Sequence, residues 1–299
     1  MTAARPARAR FPQRLGERIG RTGTLLCLGL DPHPEALPAG FTRDLRGVEA
    51  FARLLIEAAA PWASAVKANL AFFEAFGAEG SALLERLRAS LPTSLPFIAD
   101  AKRGDIGSTS ARHAVALFDR LGADAITVSP YLGREALAPL LQHADGFVYV
   151  LCRTSNPGAG EFQELAVVSD GRDLSSSDAT VAGTEPLYMH VARRVAAWAD
   201  GSDGIGLVVG ATVPQELAAI RVAVPGTPFL VPGIGHQGGD ITAVLAHAPA
   251  STGPAGAQAG GAALVNVSRA IADSALGGVA DPGQALSLAV EAWAGRLRV

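Results

Sequence analysis

Eight short runs of apolar residues recur along the chain, and segments with a helical repeat lie between most of them. The runs are continuously hydrophobic rather than alternating, which is typical of strands that are buried on both faces. Eight strands that alternate with helices predict a single-domain α/β protein, a (β/α)8 TIM barrel over residues 1–299. The predicted strands are 24–30, 64–69, 97–102, 125–129, 147–152, 205–209, 229–232 and 263–267.

A doubly wound open sheet is the alternative arrangement for alternating strands and helices. The first strand of such a sheet is commonly followed by a G-x-G-x-x-G turn that binds a dinucleotide. No such turn follows the first predicted strand of this sequence. The pattern therefore favours the closed barrel.

Three segments stand outside this repeat. The basic stretch at residues 1–10 lacks the apolar core of a secretory signal, and we expect it to form a flexible tail. Residues 156–184 are rich in Gly, Ser and Asp, and we expect the front of this insertion to cover the site. Residues 249–262 have low sequence complexity, and we expect a mobile surface loop there.

Polar or small residues follow the apolar runs at one end of each predicted strand. In a barrel these ends meet on one face, where the catalytic loops lie. A single polar residue in this place can be a mere strand terminator, whereas eight coinciding positions indicate a site. The residues are Asp31, Lys67, Asn69, Asp100, Lys102, Ser129, Arg153, Thr154, Ser155, Ala211, Thr212, Gly233, Gly235, Ser268 and Arg269.

The stretch FIADAKRGDIGSTSARHA places three charged residues at the end of the third strand. Asp100 and Lys102 are two residues apart on a strand, so their side chains share a face. After the glycine turn, Asp105 either returns toward this pair or reaches into a neighbouring subunit. The Gly-Ser-Thr-Ser run predicts N-caps for a helix starting near Ala111. A surface ion cluster is the alternative, but the apolar strand before it and the glycines after it favour a site.

A glycine-rich turn and an arginine predict a phosphate site at the seventh and eighth units. VPGIGHQGGD precedes the helical segment ITAVLAHA, and VNVSRAI places Arg269 at the start of another helix. Backbone amides of a glycine-rich turn, a helix N-terminus and an arginine together bind phosphate, and barrels commonly hold phosphate at these two units. His236 lies in the same turn, at a position from which it can touch the phosphate.

Composition excludes several classes of protein. The 299 residues are 49% hydrophobic, which is enough for a large core, and the net charge of −3 provides no basic field for nucleic acid. No apolar run reaches 18 residues, so no membrane span is expected. Cys27 and Cys152 each lie in an apolar run and are interpreted as reduced core residues, and no Cys/His spacing resembles a zinc site. We therefore expect a cytoplasmic protein.

In these residues the sequence resembles the orotidine 5′-phosphate decarboxylase family, specifically the longer form found in mycobacteria and related bacteria. The D-x-K-x-x-D core alone is shared with magnesium-binding relatives, the keto-gulonate-phosphate decarboxylases, whose second strand ends in an acidic metal ligand. Here that strand ends in Lys67, which fits the metal-free decarboxylases. The motifs that carry the resemblance, in the family's order, are LCLGLDPHPEALP, VKANLAFFEAFG, FIADAKRGDIGSTS, DAITVSPYLG, LCRTSNPGAGEFQ, LVVGAT, VPGIGHQGG and VNVSRAI.

The resemblance implies decarboxylation of orotidine 5′-phosphate to uridine 5′-phosphate (UMP), the last step of de novo pyrimidine synthesis. It also implies a homodimer with shared active sites that needs neither a cofactor nor a metal. By match to the motifs, Lys102 is the proton donor and Asp100 lies against the substrate carboxylate. Lys67 and Asp31 would hold the ribose hydroxyls, and Asn69 is expected among the substrate-binding residues.

The remaining site residues follow from the same resemblance. Asp105 and Thr109 would reach across the dimer into the partner's site, and Ser155 would contact the pyrimidine edge. The phosphate would be held by Gly233, Gln237 and Arg269. Gln237 lies in a turn whose sequence is GIGHQGG here. The corresponding turn of the family's shorter form reads GIR, so the two forms differ at this assignment.

The chemistry of the reaction fits these residue types. Loss of CO2 from carbon 6 leaves a vinylic carbanion, so the protein must direct electrostatic stabilisation at that carbon. An ammonium held by two carboxylates, in an Asp-Lys-Asp network, would remain charged and fixed in direction.

Three alternatives stay open from the residues alone. The first is a magnesium-dependent phospho-sugar decarboxylase on the same barrel. The second is a Schiff-base aldolase that uses Lys67 or Lys102 as its nucleophile. The third is a non-catalytic sensor of nucleotide phosphates, which would bind UMP without turnover.

Overall fold

Eight parallel strands close into a barrel at the centre of the molecule, as the apolar runs predicted. The computed structural model describes residues 10–168, 183–199 and 204–299. The barrel strands are β1 (Leu26–Leu30), β2 (Ala65–Asn69), β3 (Phe97–Arg103), β4 (Ala125–Val128), β5 (Phe147–Arg153), β8 (Ile205–Val209), β9 (Phe229–Val231) and β10 (Leu264–Val267), and a separate hairpin is formed by β6 (Ala166–Val168) and β7 (Thr184–Pro186). Around the barrel the strands are ordered β1-β10-β9-β8-β5-β4-β3-β2.

Helices surround the barrel and cover the apolar outer faces of its strands. The α-helices are α1 (Phe11–Thr22), α2 (Leu45–Ala59), α3 (Ala71–Glu74), α4 (Gly77–Ser90), α5 (Gly107–Ala114), α6 (Gly133–Leu141), α7 (Gly160–Gln163), α8 (Leu187–Ala199), α9 (Pro214–Ala223), α10 (Ile241–His247), α11 (Gly253–Gly256), α12 (Arg269–Ala272) and α13 (Pro282–Arg296). Helix α5 continues as a π-helix over Val115–Arg120. In the described residues, no helix is long and apolar enough to cross a membrane.

Helix α1 packs against the N-terminal end of the barrel. The predicted strands and helices did not include it, although Phe11, Leu15 and Ile19 recur at the four-residue spacing of one buried helix face. The Phe11 ring lies 4.9 Å from the Phe147 ring and 6.0 Å from the Tyr149 ring, measured between centroids. Aromatic side chains therefore pack together at this end of the barrel.

The helix after β3 begins earlier than the sequence suggested. We expected residues 107–110 to cap a helix starting near Ala111, but α5 begins at Gly107. The hydroxyl of Ser110 donates to the backbone oxygen of Asp105 at 2.6 Å instead of capping the helix. Since Thr109 and Ser110 both donate backbone hydrogen bonds to Ile106, the run forms the first helical turn itself.

The insertions differ in how they fold. Within 249–262 the chain forms α11 and a 3-10 turn over Ala259–Ala262, and Ala255 and Ala262 are buried. Residues 251–254 are exposed, so the segment lies at the surface while some of its residues are buried. In the 156–184 insertion, α7 and the β6–β7 hairpin are described, while 169–182 lie outside the described residues. Most of the expected N-terminal tail, residues 1–9, also lies outside them.

Candidate active site

A cavity of about 550 Å³ opens at the C-terminal ends of the barrel strands. This volume lies within the range of small-molecule sites, and the position is the one that barrel enzymes use. Charged and amide side chains line one part, while Leu151, Val208 and Ile234 supply apolar wall. Nine of the predicted site residues line it: Asp31, Lys67, Asn69, Asp100, Lys102, Ser155, Gly233, Gln237 and Arg269.

The Asp100 carboxylate lies between two lysine ammonium groups. Its Oδ2 accepts from Lys67 Nζ at 2.8 Å and its Oδ1 from Lys102 Nζ at 2.6 Å. Oδ1 also accepts from the Thr127 hydroxyl at 2.8 Å. The sequence predicted Lys102 between two carboxylates, whereas within one chain a carboxylate lies between two ammonium groups. We call Asp31, Lys67, Asp100 and Lys102 the ion row, since their charges alternate along the cavity wall.

The two lysines of the ion row differ in how far their side chains are buried. The side chain of Lys67 is 5% exposed, whereas that of Lys102 is 48% exposed. Burial alone would lower the pKa of Lys67, but the Asp31 and Asp100 carboxylates outweigh it and raise that pKa. Burial likewise opposes ionisation of Asp100, yet the two lysines hold the pKa of its carboxyl well below the ordinary range. Lys67 and Asp100 are thus a fixed charged pair, and Lys102 presents its ammonium to the cavity.

The loop after β5 is held by an amide side chain from the insertion. Gln163 of α7 accepts from the backbone nitrogen of Thr154 at 2.9 Å and donates to its hydroxyl at 2.8 Å. The Thr154 hydroxyl in turn donates to Asn156 Oδ1 at 2.6 Å. Gln163, Thr154 and Asn156 all line the cavity. The front of the 156–184 insertion therefore lines the cavity and orders the loop that carries Ser155.

Ser155 and the glycine-rich turn after β9 approach each other across the cavity. The Ser155 hydroxyl donates to Gln237 Oε1 at 3.1 Å. Gly233 has a φ of +102°, and a Cβ there would lie 3.1 Å from Gln237 Oε1 and 3.2 Å from Ser155 Cβ. A side chain at this position would therefore both strain the backbone and separate the two polar residues.

The part of the cavity predicted to bind phosphate differs from expectation in the groups that face it. Arg269 is exposed at the first residue of α12, and His236 also lines the cavity. However, Asp240 caps the helix after the glycine-rich turn, and its carboxylate accepts from the backbone nitrogen of Ala243 at 3.0 Å. Because a carboxylate occupies that helix N-terminus, the turn and Arg269, rather than helix α10, are the groups available to an anion.

Asp105 and Thr109 do not line the cavity of their own chain. The Asp105 carboxylate accepts from the backbone nitrogen of Ile106 at 2.7 Å, and within the described residues it forms no ion pair with Lys102. Both residues lie on the loop and first helical turn that follow the ion row.

Sequence reasoning missed two polar residues that point into the barrel. Thr127 lies between Ile126 and Val128 in a run of apolar residues, where a threonine is an ordinary strand former. Asn266 occupies the same kind of run in β10, and its buried Oδ1 finds no hydrogen-bond partner among the described residues. A polar residue inside an otherwise continuous apolar strand was the available signal for both.

Groups of three or more His, Cys, Asp or Glu side chains that could hold a metal ion do not occur in the described ranges.

The barrel and its ion row define a class of protein, the (β/α)8 barrels with a polar ligand site at the C-terminal ends of their strands. The chain belongs to the orotidine 5′-phosphate decarboxylase / HUMPS family, whose model matches residues 24–280. It is 47% identical over 262 residues to the orotidine 5′-phosphate decarboxylase of Thermomicrobium roseum, with 87% of this chain and 86% of that protein covered.

Further relatives agree with this assignment. The orotidine 5′-phosphate decarboxylase of Herpetosiphon aurantiacus is 42% identical over 261 residues, covering 87% of this chain and 88% of that protein. Among solved structures, the OMP decarboxylase of Leishmania donovani matches with a TM-score of 0.75 and 36% identity, covering 96% of this chain and 99% of that one. The family and the barrel predicted from the sequence are thus confirmed, while the mycobacterial-type subfamily stays a prediction.

Proposed function

We propose that this protein is a carboxy-lyase that converts orotidine 5′-phosphate to UMP and CO2. The observation that carries the proposal is the Lys102 ammonium, which projects into the cavity and is held 2.6 Å from the buried Asp100 carboxylate. Relatives that bear this activity in their names cover most of the chain. A nucleotide monophosphate also suits a cavity with an ion row at one side and an exposed arginine at its mouth.

Substrate binding uses the two sides of the cavity. Arg269 and the turn at Gly233 and Gln237 bind the phosphate, and Ser155 contacts the pyrimidine edge. Lys67 and Asp31 hold the ribose hydroxyls, with Asn69 beside them. This arrangement brings carbon 6 and its carboxylate to Asp100 and Lys102.

Decarboxylation breaks the bond between carbon 6 and the carboxylate, and the electron pair stays on carbon 6. The fixed ammonium of Lys102 stabilises this charge as it develops. Lys102 then transfers a proton from Nζ to carbon 6, CO2 leaves, and the neutral amine regains a proton from solvent. Asp100 keeps the ammonium oriented throughout, and the repulsion between its negative charge and the substrate carboxylate is relieved when that carboxylate departs as CO2.

The test is the absorbance loss of orotidine 5′-phosphate with purified protein, measured with and without EDTA. We expect loss of the substrate absorbance at the same rate in both samples, with UMP as the product. Activity that EDTA abolishes would favour a magnesium-dependent relative. Absence of turnover in both samples, with UMP still bound, would favour the nucleotide-phosphate sensor and contradict the proposal.

The aldolase alternative is opposed by the state of the buried lysine. A Schiff-base nucleophile needs a neutral amine, and therefore a lowered pKa. The net effect of the surroundings is to raise the pKa of Lys67. Borohydride in the presence of a keto substrate is accordingly expected to leave Lys67 unlabelled.

The proposal includes a homodimer in which Asp105 and Thr109 enter the partner's site. Both residues follow the ion row in sequence yet lie outside the cavity of their own chain. Large apolar side chains near them are exposed, with Ile106 61%, Tyr131 87% and Leu132 49% accessible. Covering these side chains with a second copy would bring its Asp105 toward Lys102 and supply the second carboxylate of the Asp-Lys-Asp network.

Mixing two inactive variants tests the shared site. In a mixture of Lys102→Ala and Asp105→Ala proteins, a heterodimer contains one site with both residues intact. Random exchange of subunits should restore about a quarter of the wild-type rate. Sedimentation of the wild type as a monomer, or a mixture no more active than its components, would contradict the dimer without affecting the proposed reaction.

The cytoplasm is the proposed location. Cys27 and Cys152 are both free and buried, which suits a reducing compartment.

A further inference from the structure

We propose that Thr127 is a positioning residue, whose hydroxyl holds the Asp100 carboxylate and the backbone of Lys102 in their reactive arrangement. This inference rests on the proposed decarboxylase function and adds to it a residue that contacts the catalytic pair. Two hydrogen bonds, a register shift and an unusual backbone angle carry it.

The register between β3 and β4 slips opposite Thr127. Ala99 pairs with Ile126, but the next paired residues are Arg103 and Val128. The three residues from Asp100 to Lys102 therefore oppose Thr127 alone. Such a bulge removes regular ladder partners from the bulged strand, and its buried backbone groups must find others.

The Thr127 hydroxyl supplies one of these partners. Its oxygen accepts from the backbone nitrogen of Lys102 at 3.0 Å. It also donates its only proton to Asp100 Oδ1 at 2.8 Å, the same oxygen that accepts from Lys102 Nζ. One hydroxyl thus links the main chain of the proton donor to the carboxylate that orients its ammonium.

The backbone held in this way is strained. Lys102 has a φ of +46°, and apart from Ala262 it is the one residue other than glycine with a positive φ in the described ranges. A left-handed conformation at a side-chain-bearing residue persists only when its surroundings enforce it. Thr127 is 1% exposed, so its hydroxyl is shielded from bulk solvent.

The consequence for catalysis is geometric. The Lys102 side chain leaves the barrel wall from a backbone that would relax without its hydrogen bond, and Asp100 would lose one of its donors at the same time. A small displacement of a proton donor reduces turnover strongly, while groups that bind the phosphate and ribose keep their places. We therefore expect Thr127 to affect kcat much more than KM.

The experiment is steady-state kinetics of the Thr127→Val variant, which keeps the branched shape but lacks the hydroxyl. We expect kcat to fall about 10- to 100-fold. KM and the inhibition constant of UMP should change by less than about threefold, since the binding groups are untouched. The Thr127→Ser variant retains a hydroxyl and should recover most of the lost turnover.

A matched control is available at the opposite end of the barrel. The Thr24 hydroxyl is also buried, donates to a carbonyl oxygen (Leu297, 3.1 Å) and accepts from a backbone nitrogen (Leu26, 3.3 Å). Thr24→Val therefore removes the same kind of hydrogen bonds far from the cavity. It should lower thermal stability about as much as Thr127→Val does and leave kcat near the wild-type value.

Several outcomes would overturn the inference. These are a kcat for Thr127→Val within threefold of Thr24→Val, an equal loss in Thr127→Ser, or a fall in kcat/KM that comes from KM alone. If Thr127→Val does not fold, Thr127→Cys replaces it, and wild-type kcat in that variant would have the same meaning. Wild-type turnover is measured in parallel, so a failure of the proposed reaction is recognised separately.

Discussion

Strands β3 and β4 carry a buried carboxylate cluster at each end. The cluster around Asp100 borders the cavity. The cluster around Asp124 is covered by helix α1, and we call it the closed cluster and its end of the barrel the closed end. At the C-terminal end, Asp100 accepts from two lysines and from the Thr127 hydroxyl. At the N-terminal end, Asp124 accepts from Arg14 at 2.5 Å, from Arg88 at 3.4 Å and from the backbone nitrogen of Phe97 at 2.8 Å. Two cations and one neutral donor are thus among the partners of each carboxylate.

The difference lies in the cations and in what covers them. At the N-terminal end, helix α1 brings Arg14 over Asp124, and the side chains of Arg14 and Arg88 are 13% and 8% exposed. Their guanidinium groups also bind backbone oxygens of Thr93 and Gly122, so the cluster connects secondary structure elements. At the other end, Lys102 stays half exposed on a cavity. Similar pairing therefore serves stability at one end and chemistry at the other.

The largest expected effect is on turnover in Lys102→Ala. This change removes the proton donor and the charge that stabilises the carbanion, so kcat/KM should fall at least ~10³-fold. Stability should change little, because the side chain is half exposed and Asp100 keeps its bond to Lys67. The measurement is kcat/KM together with the urea midpoint of unfolding.

Arg86→Ala is the matched control for that variant. Arg86 pairs with Glu49 at 2.6 Å and its side chain is 49% exposed, which closely matches Lys102 and Asp100. It lies on helix α4, away from the cavity. Near-normal turnover in Lys102→Ala, or an equal loss in Arg86→Ala, would contradict the catalytic role of the Asp100 cluster, which is what distinguishes it from the Asp124 cluster.

The next effect is on stability, in Asp124→Asn. Two guanidinium groups at the closed end would lose their carboxylate, and the free energy of unfolding should fall by about 3 kcal/mol. Turnover per folded molecule should stay near the wild-type value, because Asp124 is remote from the cavity. Asp100→Asn should lower both quantities, and urea unfolding with parallel kinetics distinguishes the two variants. An unchanged unfolding midpoint in Asp124→Asn would show that the closed cluster does not stabilise the fold.

The strands of the fold were easier to predict from the sequence than the pairing of residues in the site. Continuous apolar runs identify strands buried on both faces, so the eight barrel strands could be located from the sequence. Helix α1 carries an equally clear spacing at Phe11, Leu15 and Ile19, but basic and other polar residues separate these positions, and the helix was not among the predicted elements.

For the site, strand ends predicted which residues meet but not how they pair. Asp100 and Lys102 share a face by the two-residue spacing. Their contact with Thr127, however, depends on a register slip between β3 and β4 that no local pattern reveals. The order of charges was also hidden, because the approach of Lys67 to Asp100 comes from pairing between two strands 33 residues apart.

A pH series tests whether the ion row also stabilises the protein. The pKa of Asp100 is lowered on folding, so its stabilising effect is present above the ordinary value of 3.8 and is lost as pH falls toward the folded value. The pKa of Lys67 is raised, so its effect is present below 10.5 and is lost as pH rises toward the folded value. The stability difference between wild type and Asp100→Asn should therefore be constant from about pH 5 to 9 and shrink below about pH 4. A difference that grows on acidification would contradict the lowered pKa of Asp100.

The smallest expected effect is that of Arg14→Ala, which separates α1 from the Asp124 cluster. Arg88 and the backbone nitrogen of Phe97 still reach the carboxylate, so only one of its three partners named above is lost. The free energy of unfolding should fall by about 1–2 kcal/mol, with kcat/KM unchanged within experimental error. Hydrogen exchange should show the loss concentrated in α1, since Arg14 is its contact with Asp124 and Thr93. A fall in turnover without a change in exchange would mean that the closed end communicates with the cavity, and that the two clusters do not act independently.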